Sequence, residues 1–230
     1  LTSAASNPLR PIAERALDFV VEGTTIGLGS GRASTMFIEV LGERVKQGFK
    51  IRGVPTSQAS AALARSLGIP LTTLDECPTL EIDFDGADEV DPENNLIKGY
   101  GGALVREKIV AAASRQLIIL VGPEKIVSQL GSRAKLPVEV IPLGKTPCAR
   151  AIRGLGLEPQ LRMAGAEPLV TDNGNYLLDC HTGPIADPGS LEMALRAIPG
   201  VVGTGLFLGM EPTVLIGSDT GVEVREPPSG

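Results

Sequence analysis

Apolar positions follow two rhythms along the first half of the chain. Short apolar or β-branched runs, "TTIGLG" (24–29), "KIRGV" (50–54), "IPLTTL" (69–74), "LEIDF" (80–84) and "QLIILVG" (116–122), alternate with stretches of helical period. Those stretches run from about Ala33 to Lys46, from about Ser57 to Ser66, and onward from Gly102. Strands separated by helices of this length predict a parallel sheet covered on both faces, a Rossmann-like core. After "GSRAKLPVEVIPLG" the order changes to a helix near 147–155, two strands flanking "TDNGN", a helix at 190–198 and the strand "VVGTGLFLG". Asn173-Gly174 is a strong hairpin signal. With "LPVEVIP" in front, this order predicts a smaller α+β domain of the ferredoxin-like, split βαβ kind, inserted into the first. The tail "PTVLIGSDTGVEV" predicts two strands about a Ser-Asp-Thr-Gly turn that return to the first domain. The expected division is a Rossmann-like catalytic domain over 1–134 and 208–230, and a ferredoxin-like domain over 135–207 with a role in oligomerisation.

Composition narrows the partners. The chain has 230 residues, 43% of them apolar, enough to bury a substantial core. Its net charge of -6 comes without any basic stripe, which argues against nucleic acid and anionic membranes and leaves a small molecule as the expected ligand. Aromatic content of 3% makes base stacking an unsuitable mode of action. "LIILVG" is far short of the roughly 20 apolar residues of a membrane helix, and "LTSAASNPLR" lacks the charged and apolar regions of a signal peptide. Cys77, Cys148 and Cys180 are odd in number and widely spaced, which signals neither a disulfide framework nor a zinc site and fits a reducing cytoplasm. The single histidine, His181, ends an apolar strand and reads as structural or as a pocket edge. Acid–base chemistry without a metal would therefore fall to carboxylates and lysines.

Two glycine-rich segments carry candidate chemistry. "GLGSGRAS" (27–34) sits where a strand ends and a helix begins, so its backbone can approach a ligand and the helix start favours an anion. It lacks the Gly-Lys-Ser/Thr of a nucleotide loop, and the next strand ends "RGVPTSQ" without the acid of a dinucleotide fingerprint. A loop for a single phosphate or carboxylate remains, with Ser30 and Ser34 as hydroxyl donors and Arg32 as either a fork to the oxygens or a solvated helix-start residue. The second segment is "FDGADEVDPENNLIKGYGGALVREKIV" (84–110). Asp85 and Asp88 end a strand, at the edge where open parallel sheets bind ligands. Glu89, Asp91 and Glu93 read as turn acids. Lys98 precedes "GYGG" and is either a surface lysine or local positive charge for an anionic ligand. At 100° per residue Glu107 falls between Ala103 and Ala111 beside Leu104, a setting that desolvates a carboxylate and raises its pKa toward values that suit moving a carbon-bound proton. Taken alone it could equally be a first-turn partner of the helix dipole.

Taken together, "DGADE" (85–89), "IKGYGGALVREKIV" (97–110), "GPEKIVSQLG" (122–131), "LPVEVIP" (136–142), "VTDNGNYLLDCH" (170–181) and "IPGVVGTGLF" (198–207) resemble the ribose-5-phosphate isomerase type A family over nearly the whole chain. The resemblance implies interconversion of D-ribose 5-phosphate and D-ribulose 5-phosphate in the pentose phosphate pathway, with no metal and no organic cofactor. It implies that Glu107 is the proton acceptor, that Lys98 stabilises the oxyanion, and that Asp85 and Asp88 manage sugar hydroxyls. Ser30, Gly31, Arg32 and Ala33 would take the phosphate, and Gly86, Ala87, Gly99, Tyr100, Gly101 and Lys125 would contact substrate. A cytoplasmic homodimer or homotetramer is expected. The chain departs from the family at Arg32 and Ala33, where Ser-Thr is usual, at Tyr100, where glycine is usual, and at Leu9-Arg10, where some members carry a substrate lysine. A non-catalytic sugar-phosphate sensor is the alternative from another class, but no helix-turn-helix segment precedes the core. An amino-sugar phosphate deaminase or a CoA transferase is a further one, disfavoured by the lone histidine and the "DGADE" pairing.

Overall fold

The computed structural model describes residues 8–218 and 220–228. In chain order the elements are α1 (Arg10–Ala16), β1 (Thr25–Leu28), α2 (Arg32–Lys46), β2 (Arg52–Pro55), α3 (Gln58–Ser66), β3 (Leu80–Gly86), β4 (Glu89–Val90), β5 (Leu96–Ile97), α4 (Leu104–Ala112) and β6 (Ser114–Val121). They continue with β7 (Leu136–Val140), α5 (Lys145–Gly154), β8 (Glu158–Leu161), β9 (Met163–Ala164), β10 (Glu167–Pro168), β11 (Tyr176–His181), α6 (Pro188–Arg196), β12 (Val201–Thr204), β13 (Leu206–Phe207), β14 (Thr213–Ser218) and β15 (Gly221–Arg225). The chain forms two compact units. One comprises the segment ending at Gly86, Ile109–Glu124 and the segment from Pro212, and the other comprises Ala87–Lys108 and Lys125–Glu211. The boundaries 134 and 208 both fall within the second unit.

The first unit is built on a six-stranded sheet in the order β15-β14-β6-β3-β1-β2, parallel except for β15. It is the expected Rossmann-like sheet. β1 is buried throughout and β3, β6 and β14 bury most of their residues, whereas the edge strand β15 does not; Phe37 of α2 stacks on Phe84 of β3 with ring centroids 4.2 Å apart. Ser57 caps α3 by accepting from the Ser60 N–H at 3.1 Å, a contact worth about 1 kcal/mol. From β1 the chain crosses to β2 on one side, and β3 lies on the other side of β1. The carboxyl ends of β1 and β3 therefore flank a topological switch point, where doubly wound sheets take their ligands.

The second unit carries an antiparallel sheet in the order β12-β7-β11-β8, with α5 and α6 as its crossovers, which is the expected split βαβ arrangement. A buried cluster including Leu136, Val138, Val140, Cys148, Ile152, Leu178 and Leu195 joins sheet and helices. A small three-stranded sheet, β13-β5-β4, lies in the same unit.

Several local expectations are corrected. Residues 69–74 form no strand; a single bridge from Gly53 to Leu71 remains, because Pro70 has no N–H to donate. The strand expected at 201–209 divides at Gly205 into β12 and β13, which belong to different sheets. Before the Asn173-Gly174 turn there is only a bridge from Val170 to Tyr176, and β11 pairs instead with β7 and β8. Asp219, at the centre of the expected tail turn, lies outside the described residues. Among the described residues no helix is long and apolar enough to cross a membrane.

Candidate active site

The first unit gathers a polar group at its switch point. Asp85, fully buried near the end of β3, accepts through Oδ1 from Ser30 N at 3.1 Å, Ser34 Oγ at 3.0 Å and Gly86 N at 2.8 Å. Ser30 Oγ lies 2.8 Å from Thr56 Oγ1, and Ser60 Oγ donates to the Gly29 carbonyl at 2.6 Å. The loop after β1 is thus held from below by a carboxylate and from the side by hydroxyls. At Gly29 any side chain would overlap Asp85, so the close approach needs glycine. Gly31 caps α2 with φ 90° and no side-chain cap, which leaves the first-turn N–H groups at Arg32, Ala33 and Ser34 available to an anion. Arg32 is exposed, Ala33 is half-buried, and no hydrogen bond or ion pair to another described residue engages the Arg32 guanidinium.

The second unit gathers the charged group. Lys98 and Glu107 are each 3% exposed, and Lys98 Nζ lies 3.7 Å from Glu107 Oε2. The helical-wheel position of Glu107 predicts this burial, since Ala103, Leu104 and Ala111 are all buried around it. Its neighbours in sequence pin the helix turn from two directions. Arg106 donates to Asn173 Oδ1 and to the Asp172 carbonyl, both at 2.7 Å. Lys108 Nζ donates to the carbonyls of Thr204 at 2.9 Å and Leu206 at 2.7 Å and pairs with Glu192. The Phe207 ring lies under both ammonium groups, 5.5 Å from Lys98 Nζ and 4.9 Å from Lys108 Nζ. Gly205 fixes the Lys98 backbone by accepting its N–H at 2.9 Å.

Asp88 belongs to this group. Its Oδ2 accepts from the Tyr100 N–H at 3.0 Å. Burial pushes its carboxyl above the usual aspartate range, opposed first by that N–H and then by the positive charges of Lys98, Lys125 and Arg162. Gly99 is buried with φ 116°, Tyr100 is 48% exposed, Gly101 is exposed, and Ala87 and Lys125 are half-buried. The expected residues therefore separate by unit, with Ser30, Gly31, Arg32, Ala33, Asp85 and Gly86 in the first and Ala87, Asp88, Lys98, Gly99, Tyr100, Gly101, Glu107 and Lys125 in the second.

Two residues escape the sequence reading. Glu89 reads as a turn acid, but it lies buried in β4 and accepts three backbone N–H groups, from Gly131 and Arg133 at 2.5 Å and Ala134 at 2.6 Å. Asp91 does act as a turn former, accepting from Asn95 N at 2.8 Å and Glu93 N at 3.0 Å. Arg162, in a segment with no motif, donates to the carbonyls of Gly99 at 2.9 Å and Tyr100 at 3.0 Å. Only its charge between Leu161 and Met163 could have drawn notice.

Comparison with known proteins bears on this chemistry. Residues 52–221 match the family described as Ribose 5-phosphate isomerase A (phosphoriboisomerase A). A relative named ribose-5-phosphate isomerase A from Roseiflexus castenholzii is 50% identical over 223 residues, covering 95% of each chain. The solved ribose 5-phosphate isomerase A from Methanocaldococcus jannaschii superimposes with a TM-score of 0.90 at 38% identity, over 95% of this chain and 98% of that one. A D-ribose-5-phosphate isomerase solved in complex with phospho-erythronic acid gives 0.92 at 38% identity, over 95% and 97%.

Proposed function

The chain belongs to the ribose 5-phosphate isomerase A family, and from that premise we propose that Glu107 is the base that carries a proton between C2 and C1 of an open-chain pentose phosphate. The protein is an isomerase that interconverts D-ribose 5-phosphate and D-ribulose 5-phosphate. The observation that carries the assignment of the base is the buried pair of Lys98 and Glu107.

Starting from the aldose, the Glu107 carboxylate takes the C2 proton, and the electron pair moves through C1 to the aldehyde oxygen, giving a cis-enediolate. Negative charge leaves the carboxylate and appears on the enediolate while Lys98 stays beside both. The charge of the buried group is therefore constant through the step, and no new ion has to be desolvated. An aspartate carboxyl, assigned to Asp85 or Asp88, moves the hydroxyl proton from O2 to O1 and assists ring opening. Glu107 then returns its proton to C1. No atom is gained or lost. The phosphate is taken by the α2 N-terminus with Ser30, Gly31, Arg32 and Ala33, and Lys125 adds positive charge. Phospho-erythronic acid, the ligand of one relative, is a sugar-acid phosphate whose planar carboxylate resembles an enediolate.

Two finer readings accompany this one. The ferredoxin-like part of the chain carries the contacts of a homodimer or homotetramer, supported by the exposed side chains of Leu143, at 93%, and Met193, at 69%; sedimentation would give the number of subunits. A cytoplasmic location is supported by the three free thiols, Cys77, Cys148 and Cys180.

Glu107→Gln preserves shape and removes the accepting oxygen. Turnover of ribose 5-phosphate should fall by at least ~10²-fold, the lower end of general-base contributions, with sugar-phosphate binding largely retained. Near-normal turnover in this variant would refute the assignment of the base.

A further inference from the structure

We propose that Arg162 is a positioning residue for the isomerisation: aligned by Asp179, it fixes the Gly99–Tyr100 peptide so that the Tyr100 N–H meets the Asp88 carboxylate. The proposal rests on the isomerase reading above. Its starting point is how fully the guanidinium is used. Nε donates to Asp179 Oδ2 at 2.9 Å and Nη2 to Asp179 Oδ1 at 2.5 Å, a two-point fork. The remaining nitrogen, Nη1, donates to the carbonyls of Gly99 and Tyr100 at 2.9 and 3.0 Å. Both partners are rooted in the sheet. Asp179 sits in β11 between Gln160 of β8 and Pro137 of β7, and the Arg162 N–H donates to the Leu177 carbonyl at 2.9 Å.

The Gly99 carbonyl and the Tyr100 N–H belong to one peptide plane, which is trans, so they point to opposite sides. Arg162 holds the oxygen end of that plane, and Asp88 accepts from its hydrogen end at 3.0 Å. The cation thus fixes the direction of the N–H and, by polarising the amide, strengthens it as a donor. Gly99, at φ 116°, supplies the backbone turn that aims the plane this way, a conformation costly for other residues. Lysine could supply the charge but not the planar fork that reaches Asp179 and two carbonyls together. A pair this well buried, with side chains 11% and 13% exposed, is a poor way to gain stability alone.

The consequence is a pH effect with a definite sign. The positive groups acting on Asp88 are Lys98, Lys125 and Arg162, and the nearest donor is the Tyr100 N–H; burial opposes them all. Loss of Arg162 removes one cation and loosens that N–H, so the Asp88 carboxylate becomes harder to keep ionised. The acid limb of the activity profile then moves to higher pH.

The test measures kcat/KM for ribose 5-phosphate against pH in the full chain, as wild type, Arg162→Lys, Arg162→Gln and the double variant Arg162→Gln/Asp179→Asn. The double variant leaves no buried unpaired charge and so guards against simple misfolding. Hydrogen exchange at the Tyr100 amide is followed in parallel. Arg162→Gln and the double variant should lose tenfold or more in kcat/KM, shift the acid limb upward by on the order of half a pH unit or more, and exchange Tyr100 faster. Arg162→Lys should recover part of the limb and little of the Tyr100 protection. A double variant with a wild-type profile overturns the proposal, and so does a uniform loss of activity with an unmoved limb, which marks a mere staple. If the wild type failed to interconvert the two sugars, the isomerase reading would fall, and unchanged Tyr100 exchange in the variants would separately refute the clamp.

Discussion

Arg32 opens α2 after the glycine loop that follows β1, exposed, with no described partner for its guanidinium and with the uncapped N–H groups of the helix beside it. Arg10, at the place where some relatives carry a substrate lysine, is committed to Glu14 at 2.8 Å and Glu43 at 2.7 Å. In the proposed site Arg32, with Lys125, is a cation for a phosphate remote from the reacting carbons. An interaction that is equal in ground and transition states acts on KM more than on kcat. Arg32→Ala should raise KM for ribose 5-phosphate about 10-fold or more, about 1.4 kcal/mol of binding, with a smaller effect on kcat and almost none on unphosphorylated ribose; an unchanged KM would leave the phosphate to N–H groups and hydroxyls. Residues of this kind are legible because the pattern that marks them is local. Glu107 is read from the buried neighbours one turn away, and Ser30 from its place after a strand. Glu89 and Arg162 are not legible, because their partners at 131–134 and at 99, 100 and 179 are brought to them only by the fold.

At the scale of elements, alternation of apolar runs and helical stretches identifies β1, α2, β2, α3, β3, α4 and β6, and the boundaries move by a few residues. What fails is the assignment of runs whose ends serve different sheets. "VVGTGLFLG" is continuous in pattern, yet β12 pairs with β7 while β13 pairs with β5. The break is at Gly205, whose N–H donates to the Pro137 carbonyl at 2.8 Å and whose carbonyl takes the Lys98 N–H. A Cβ there would overlap the Lys98 carbonyl oxygen and the Pro137 ring. Backbone cannot step aside as a side chain can, so Gly205→Ala should destabilise by about 1–3 kcal/mol, the range for overpacking, and should lower turnover by displacing Lys98. Gly154→Ala, in open space at the end of α5, is the control and should be neutral or slightly stabilising. Chemical denaturation of the two variants separates them; equal midpoints would show that the 205 segment yields freely.

For the molecule as a whole, the parallel core and the split βαβ part follow from the order of elements, whereas strand order does not. Nothing in the pattern says that β6 lies between β3 and β14, and the switch point beside β1 exists only once that order is set. The same whole-molecule view governs what can bind a metal. The chain has one histidine, and Cys148 and Cys180 are buried, with burial pushing the Cys180 thiol up to about 12 and away from the thiolate a metal needs. Four carboxylates removed from solvent already accept from fixed donors. Asp85 is held by Ser30, Ser34 and Gly86, Glu89 by three N–H groups, Glu139 by Thr171, Asn173 and Asn175, and Asp179 by Arg162. Among the described residues no three His, Cys, Asp or Glu side chains are gathered to hold an ion. Under the proposed mechanism Lys98, beside Glu107, supplies the positive charge that a metal would otherwise supply. Exhaustive treatment with EDTA should therefore leave both the rate of ribose 5-phosphate conversion and the Tm within error of the untreated protein. A rate that vanished on chelation and returned with a divalent cation would mean that charge at the enediolate is stabilised by an ion, and that Lys98 does not suffice.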